Sequence, residues 1–274
     1  MKNTPFIAVT SQPVPYHADT TAIFNTLCQQ NSNSLLLDSA EIGSKNSLQS
    51  LILINATVKI TCLGNQVTFR ALNANGKQVL NEIHPVLSQL GTVSAGNFDN
   101  EFSVQFAPLD NQLDEDSKLQ AATIFDGLRV ISNHYQHSST PVFLGGLFAY
   151  DLVANFIPMQ GVELKDDGIN CPDYSFYLAE NLITIDHQSQ QATLKSFCFS
   201  QEEQVEVAKT ALSIAQKLKN IDGVFSIKAA SDEVSTNFED PEFTGIVKAL
   251  KHHINIGDVF QIVPSRRFSL ACPN

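Results

Sequence analysis

Apolar and polar positions along this chain fall into short strand-like bursts separated by amphipathic stretches. After a polar leader with a four-residue apolar patch at 6–9, Ala22, Ile23 and Leu27 share one face behind Asp19. This predicts a helix over 19–29 with Asp19 as N-cap. The burst at 35–39, LLLDS, ends in a carboxylate and a hydroxyl. It reads either as a core strand leaving its sheet through a polar turn or as a strand-end ligand site at the mouth of a sheet. From 48 to 72 the pattern predicts a meander of three strands: 51–54 nearly continuous, 58–63 alternating, and 67–72 after a turn at Gly64-Asn65. Asn75-Gly76 predicts another turn before a helix over 77–90 that is interrupted near Pro85. Residues 91–113 show no period and read as a surface excursion, and 114–134 as one helix with Leu119, Ala122, Phe125, Leu128 and Ile131 inward.

The second half begins with VFLGGLFAYD at 142–151. Two glycines inside a strand-like run point to close backbone approach, a bulge or unusual dihedrals. Three strands follow at 174–179, 182–186 and 192–199, the last two joined by a polar turn at 187–190, and then an amphipathic helix at 201–219. The polar stretch 221–239 is the best domain boundary. Beyond it, Asp240 as N-cap and Pro241 at N1 start a helix with Phe243, Ile246, Val247, Leu250 and Ile254 on one face, which Gly257 ends. Residues 259–263, VFQIV, then predict a strand buried on both faces. Gln261 shares a face with Val259 and Val263, so its amide is satisfied by neighbouring backbone or meets a ligand.

Composition narrows the function classes. The chain has 274 residues, 43% of them hydrophobic, and 28 acidic against 17 basic residues for a net charge of -11. That balance argues against nucleic acid and against anionic membrane surfaces as partners. Five cysteines without C-x-x-C spacing indicate neither a disulfide framework nor a zinc site, and reduced thiols in the cytoplasm are the simplest reading. No signal peptide or membrane span is expected. Phosphate-loop, dinucleotide, nucleophile-elbow and H-E-x-x-H motifs are all missing from the sequence. His134 and His137 have i, i+3 spacing but no ligating neighbours in sequence, so they read as a cationic complement to a helix end.

Three segments taken together carry a resemblance. LLLDSAEIGSKNSLQSLILINATVKITCLG at 35–64, FLGGLFAYDLVANF at 143–156 with CPDYSFYLAENLITIDHQ at 171–188, and GDVFQIVPSRRFSL at 257–270 resemble the large subunit, component I, of anthranilate synthase, among the chorismate-utilising enzymes. The resemblance runs over essentially the whole chain in matching order. It implies an α+β (mixed α/β) fold of two largely antiparallel β-sheets facing each other with helices outside, incomplete at the C-terminus. The implied domains are an N-terminal regulatory region at 1–225, a linker at 226–239 and the start of a chorismate-binding catalytic domain at 240–274.

The implied activity converts chorismate and ammonia to anthranilate and pyruvate with Mg²⁺, the first step of tryptophan biosynthesis. Ammonia is implied to come from glutamine through a glutamine amidotransferase subunit, component II, and L-tryptophan to act as feedback inhibitor. The family's tryptophan motif falls on Leu37, Asp38 and Ser39, and Lys45 follows on the next segment. Aspartate stands where glutamate is more usual, which keeps the charge and shortens the reach by one methylene. Gln261 falls where water-adding relatives carry lysine. A lysine can act as base toward water, whereas ammonia needs only positioning, for which a neutral amide suffices. The magnesium ligands, the acid/base histidine and the groups clamping the chorismate carboxylates are implied to lie beyond residue 274, so this chain alone is expected not to turn over chorismate. Two alternatives remain: a non-catalytic tryptophan-binding regulatory piece using Asp38 and Ser39, and the sister enzyme aminodeoxychorismate synthase component I, which retains the enolpyruvyl group.

Overall fold

The structure, a computed structural model, describes residues 5–29, 31–38, 48–95, 100–110, 112–136, 140–157, 171–221 and 233–271. It forms two compact units, Met1–Gly223 and Val224–Asn274. The first runs β1 (Ala8–Val14), α1 (Thr20–Cys28), β2 (Leu35–Asp38), β3 (Gln49–Leu63), β4 (Gln66–Ala71), α2 (Ala74–Leu87), β5 (Thr92–Ala95) and β6 (Glu101–Gln105). It continues through α3 (Glu115–Gln120), α4 (Asp126–His134), β7 (Leu144–Phe148), a 3₁₀ turn at Tyr150–Asn155, β8 (Tyr174–Asp186), β9 (Gln191–Cys198) and α5 (Gln204–Lys217). The class is mixed α/β, with a large antiparallel sheet of nine strands here and a small sheet in the second unit.

Two long strands form the spine of the large sheet. β3 and β8 pair from Gln49 opposite Asp186 to Cys62 opposite Tyr174. β2 lies along the start of β3 and β4 along its end, while β9 and β7 divide the outer edge of β8 in the same way. The sheet therefore has two halves, and its buried side chains fall into two cores, one of which also takes Leu53 and Leu182 from the opposite face of the first half. In one, Ile52, Ile54, Ile183, Ile185 and Leu194 pack with Ile23 of α1 and Ala211 and Ile214 of α5. In the other, Val58, Ile60, Phe69, Phe102 and Tyr174 pack with Val79, Ile83 and Leu87 of α2 and Ile131 of α4.

The halves meet at a bulged seam. Pairing shifts register between Leu53 and Val58, so that Asn55 stands opposite Asn181. A bulge frees backbone groups and bends the strand, and buried polar atoms there need partners. Asn55 Nδ2 donates to Asn181 Oδ1 (3.1 Å), and Asn181 Nδ2 donates to Ser196 Oγ (2.9 Å). Asn31 Nδ2 donates to the Ile54 carbonyl (2.7 Å). The start of α2 is fastened to the bulge, with Leu72 N–H donating to Thr57 O (2.9 Å) and Thr57 Oγ1 donating to Asn73 Oδ1 (2.9 Å).

Beside the seam lies a buried carboxylate. Glu180, 7% exposed, accepts from Asn73 Nδ2 (2.8 Å) and Asn75 Nδ2 (2.9 Å) through one oxygen. Burial pushes its carboxyl above the usual range, the two amides pull it part of the way back, and the charge of Glu203 pushes it up again. The folded state thus holds this proton to higher pH than the unfolded chain, and stability falls as pH rises through the folded pKa. Glu180→Gln keeps an acceptor oxygen without the charge. Its stability should match the parent at pH 4 and exceed it increasingly toward pH 8 in urea unfolding; parallel profiles would disprove the assignment.

Several elements differ from the sequence expectation, each for a physical reason. The expected strands 51–54 and 58–63 are one strand, β3, because Asn55-Ala56-Thr57 interrupts the pattern as a bulge, not a turn; 174–179 and 182–186 likewise merge into β8. The stretch 91–113 contains β5 and β6, whose Val93, Phe102 and Val104 pack on the sheet's core. The apolar patch at 6–9 opens β1, an edge strand on β9 where Pro13 is tolerated. The single helix expected at 114–134 is two. Asp114 caps α3, and Asp126 Oδ2 accepts from Thr123 N–H (2.7 Å) as α4 begins anew. Asn75-Gly76 lies in the first turn of α2, whose N-cap Asn73 accepts from Gly76 N–H (2.9 Å).

The second unit consists of β10 (Val234–Thr236), α6 (Asp240–Asn255) and β11 (Phe268–Leu270), with β10 and β11 antiparallel. Asp240 sits in the first turn of α6 behind Glu239 and pairs with Arg266 at 2.5 Å instead of capping. Gly257, at φ 83°, ends the helix. The buried strand expected at 259–263 is an irregular, mostly exposed segment. None of the described strands lies alongside it, and a lone segment has no ladder to make it a strand. None of the described helices is long and apolar enough to cross a membrane.

Candidate functional site

The edge of the first half-sheet carries the candidate site. β2 pairs antiparallel with β3, which places Asp38 directly opposite Ser50, and Ser50 in turn opposite Ile185 of β8. Side chains alternate along a strand, so Ser50 shares the face of Ile52 and Ile54 and is fully buried among isoleucines. A hydroxyl in that position must be hydrogen-bonded. Ser50 Oγ donates to Asp38 Oδ1 and lies 2.8 Å from His187 Nε2. Tyr16 Oη lies 3.2 Å from His187 Nδ1, and the two rings meet edge to face with centroids 5.9 Å apart.

His187 is held from both sides of the β8–β9 turn. Its backbone N–H donates to Leu48 O at 2.9 Å. Asp186 Oδ1 accepts the N–H groups of Gln188 (2.9 Å) and Ser189 (3.0 Å). Those two bonds, Ser189 first, keep the half-buried Asp186 carboxyl below its usual range.

Outside Asp38 an open cavity of about 460 Å³ is lined by Leu36, Leu37, Asp38, Gln49 and Leu51. Strand alternation puts Leu36 and Asp38 on the Ser50 face and Leu37, Gln49 and Leu51 on the other, so the cavity wraps the sheet's edge, and its Asp38 side suits a ligand with a cationic head. The structure thus brings Leu37 and Asp38 to one cavity. Ser39 and Lys45 lie outside the described residues. Gln261 is in the second unit, on the exposed segment after α6.

Ser50, His187 and Tyr16 carried no motif. Their signal was the lone hydroxyl in an otherwise apolar strand and the histidine just past a strand end, and it needed the pairing register to become legible. His134 Nε2 lies 2.9 Å from Glu82 Oε2, which also accepts from Tyr135 Oη (2.8 Å); His137 is outside the described residues. Among the described residues no group of three His, Cys, Asp or Glu side chains is placed to hold a metal ion. The described residues therefore do not fit a magnesium site.

The glycine pair of β7 lies on the other half-sheet. Neither glycine has positive φ. A Cβ on Gly146 would stand 2.2 Å from Ser175 O and 2.6 Å from Phe176 Cα, and one on Gly145 2.6 Å from the Phe143 ring. Close approach, among the three reasons weighed for the pair, is the one that applies.

Comparison with known proteins adds to this geometry. The sequence pattern of the chorismate binding enzymes matches residues 81–274. The chain is 86% identical over 269 residues to anthranilate synthase component 1 of Haemophilus influenzae, across 98% of this chain and 52% of that protein. It is 42% identical over 284 residues to anthranilate synthase component 1 of Vibrio cholerae, across 100% of this chain and 53% of that one. Among solved structures, anthranilate synthase component I from Streptococcus pneumoniae superposes with a TM-score of 0.47 and 15% identity, over 84% of this chain and 43% of the other. The chain spans about half the length of the curated relatives it matches. With most of its residues inside the family pattern, the chain belongs to the chorismate binding enzymes.

Proposed function

We propose that this chain is part of an anthranilate synthase component I that contributes the tryptophan-sensing edge and one wall of the chorismate site. The observation that carries the reading is the 86% identity to the Haemophilus influenzae protein across 98% of the chain. The activity proposed is chorismate plus ammonia to anthranilate plus pyruvate, in the cytoplasm, with Mg²⁺. Ammonia is delivered from glutamine by an amidotransferase partner subunit, and L-tryptophan inhibits. Gln261 is proposed to orient ammonia through its neutral amide.

The regulatory half of the reading is supported by the chemistry of the cavity at β2. Tryptophan carries an ammonium that suits Asp38 and an indole that suits Leu36 on the same face of the edge. Ser39 and Lys45 are proposed to complete that site. Titration of the chain with L-tryptophan, followed by backbone-amide NMR, should shift the signals of Leu36, Leu37, Asp38, Gln49 and Leu51. Asp38→Asn should weaken binding about tenfold or more, the size of a hydrogen bond to a charged group. Ser39→Ala should weaken it as well. Shifts elsewhere only, or an unchanged affinity in Asp38→Asn, would remove tryptophan from this edge.

A further inference from the structure

We infer that Ser50, His187 and Tyr16 form a proton-ordered chain that positions the Asp38 carboxylate for a ligand's ammonium. The inference rests on the reading that Asp38 receives an amino group. The order of the protons follows from valence. A carboxylate has only lone pairs to offer, so the Ser50 hydroxyl proton points to Asp38 Oδ1. The hydroxyl oxygen must then accept from its other neighbour, which makes His187 Nε2 the N–H donor at 2.8 Å. In the neutral ring Nδ1 is left as acceptor, and Tyr16 O–H donates to it at 3.2 Å. Every donor along the chain points toward Asp38.

A structural role alone does not account for this arrangement. Ser50 lies on the isoleucine face of β3, where an apolar side chain would extend the core formed by Ile52, Ile54, Ile183 and Ile185. A buried hydroxyl there gives up that contribution and requires two partners drawn from distant parts of the chain. The outer end of the chain is a carboxylate on a cavity wall. Holding Oδ1 fixes the carboxylate plane, so that Oδ2 meets an incoming ammonium with less rotational freedom to lose. Ser50, His187 and Tyr16 are therefore positioning residues, and their effect should depend on whether the ligand has an ammonium.

Two measurements on the chain test this. Long-range ¹H–¹⁵N spectra of the His187 ring should show the Nε2–H tautomer; the Nδ1–H tautomer would overturn the inference. Affinities are then compared for L-tryptophan and for indole-3-propionate, which lacks the ammonium. Ser50→Ala and His187→Leu should each weaken tryptophan about tenfold and leave indole-3-propionate unchanged. His187→Gln, whose amide N–H reaches the position of Nε2–H, should recover most of the loss. Tyr16→Phe, which deletes only a hydroxyl at the far end, should cost about threefold. Equal losses for both ligands, or equal behaviour of His187→Leu and His187→Gln, would reduce these side chains to packing and overturn the inference. Failure of the underlying reading has a different mark: in that case Asp38→Asn leaves tryptophan affinity unchanged, and the chain has no ammonium to serve.

Discussion

Gly76→Ala should lower stability by about 3 kcal/mol and Tm by roughly 8 °C, against the usual sign for a glycine-to-alanine change in a helix. Alanine is ordinarily the better helix former, by about 1 kcal/mol. Here a Cβ would stand 2.0 Å from the Thr57 carbonyl oxygen and 2.9 Å from its carbon. That oxygen cannot step aside, since it belongs to the β3 bulge and accepts from Leu72 N–H at 2.9 Å. The start of α2 would have to lift instead, loosening Val79, Leu80, Ile83 and Leu87 from the core. Gly245 of α6 supplies the control, because a Cβ there meets nothing within 4 Å. Thermal unfolding of both variants separates the effects; a Tm gain in Gly76→Ala would show that α2 does not sit on the bulge.

The second large effect is expected at Gly146→Val. Gly146 pairs with Phe176, and a Cβ would collide with the backbone of β8 at Ser175 O and Phe176 Cα. Relief requires β7 to leave β8, and Leu144, Phe156 and Phe125 pack against the same core. A loss of about 4 kcal/mol is expected, at the severe end for one substitution. Hydrogen exchange should report it locally, with faster exchange along 174–178 than along 181–186, where β8 pairs with β9. Uniformly faster exchange would mean that β7 is not the seat of the damage.

What the sequence disclosed was mostly local. Asp19 was legible as an N-cap, and its side chain does accept from Ala22 N–H at 2.9 Å. Gly257 was legible as a helix stop, and Gly145-Gly146 as a place of close approach, a bulge or unusual dihedrals, because each follows from the steric properties of one residue type. Asn55-Ala56-Thr57 was misread because a bulge and a turn interrupt an apolar run in the same way, and long-range pairing decides between them. Residues 259–263 failed for the complementary reason: a strand-like pattern states apolar content and cannot state whether a neighbouring strand exists. The site behaved likewise. Asp38 was picked out by its motif, whereas Ser50 and His187 became visible only when register placed them side by side.

The bulged seam between the half-sheets also bears on how such a chain tolerates change. The two cores share no buried residue, although Leu53 and Leu182 of one alternate along β3 and β8 with Ile52 and Ile183 of the other. A substitution among Ile52, Ile183 and Leu194 therefore has no direct partner among Phe69, Phe102 and Val104, and effects in the two sets should simply add. Each core is free to drift at its own pace. The asparagines at the junction have no such freedom, since Asn55 and Asn181 are each other's partners and a change in one strands the other. Divergent sequences built on this fold should vary in two uncorrelated blocks, with a short polar string between them that changes together or not at all.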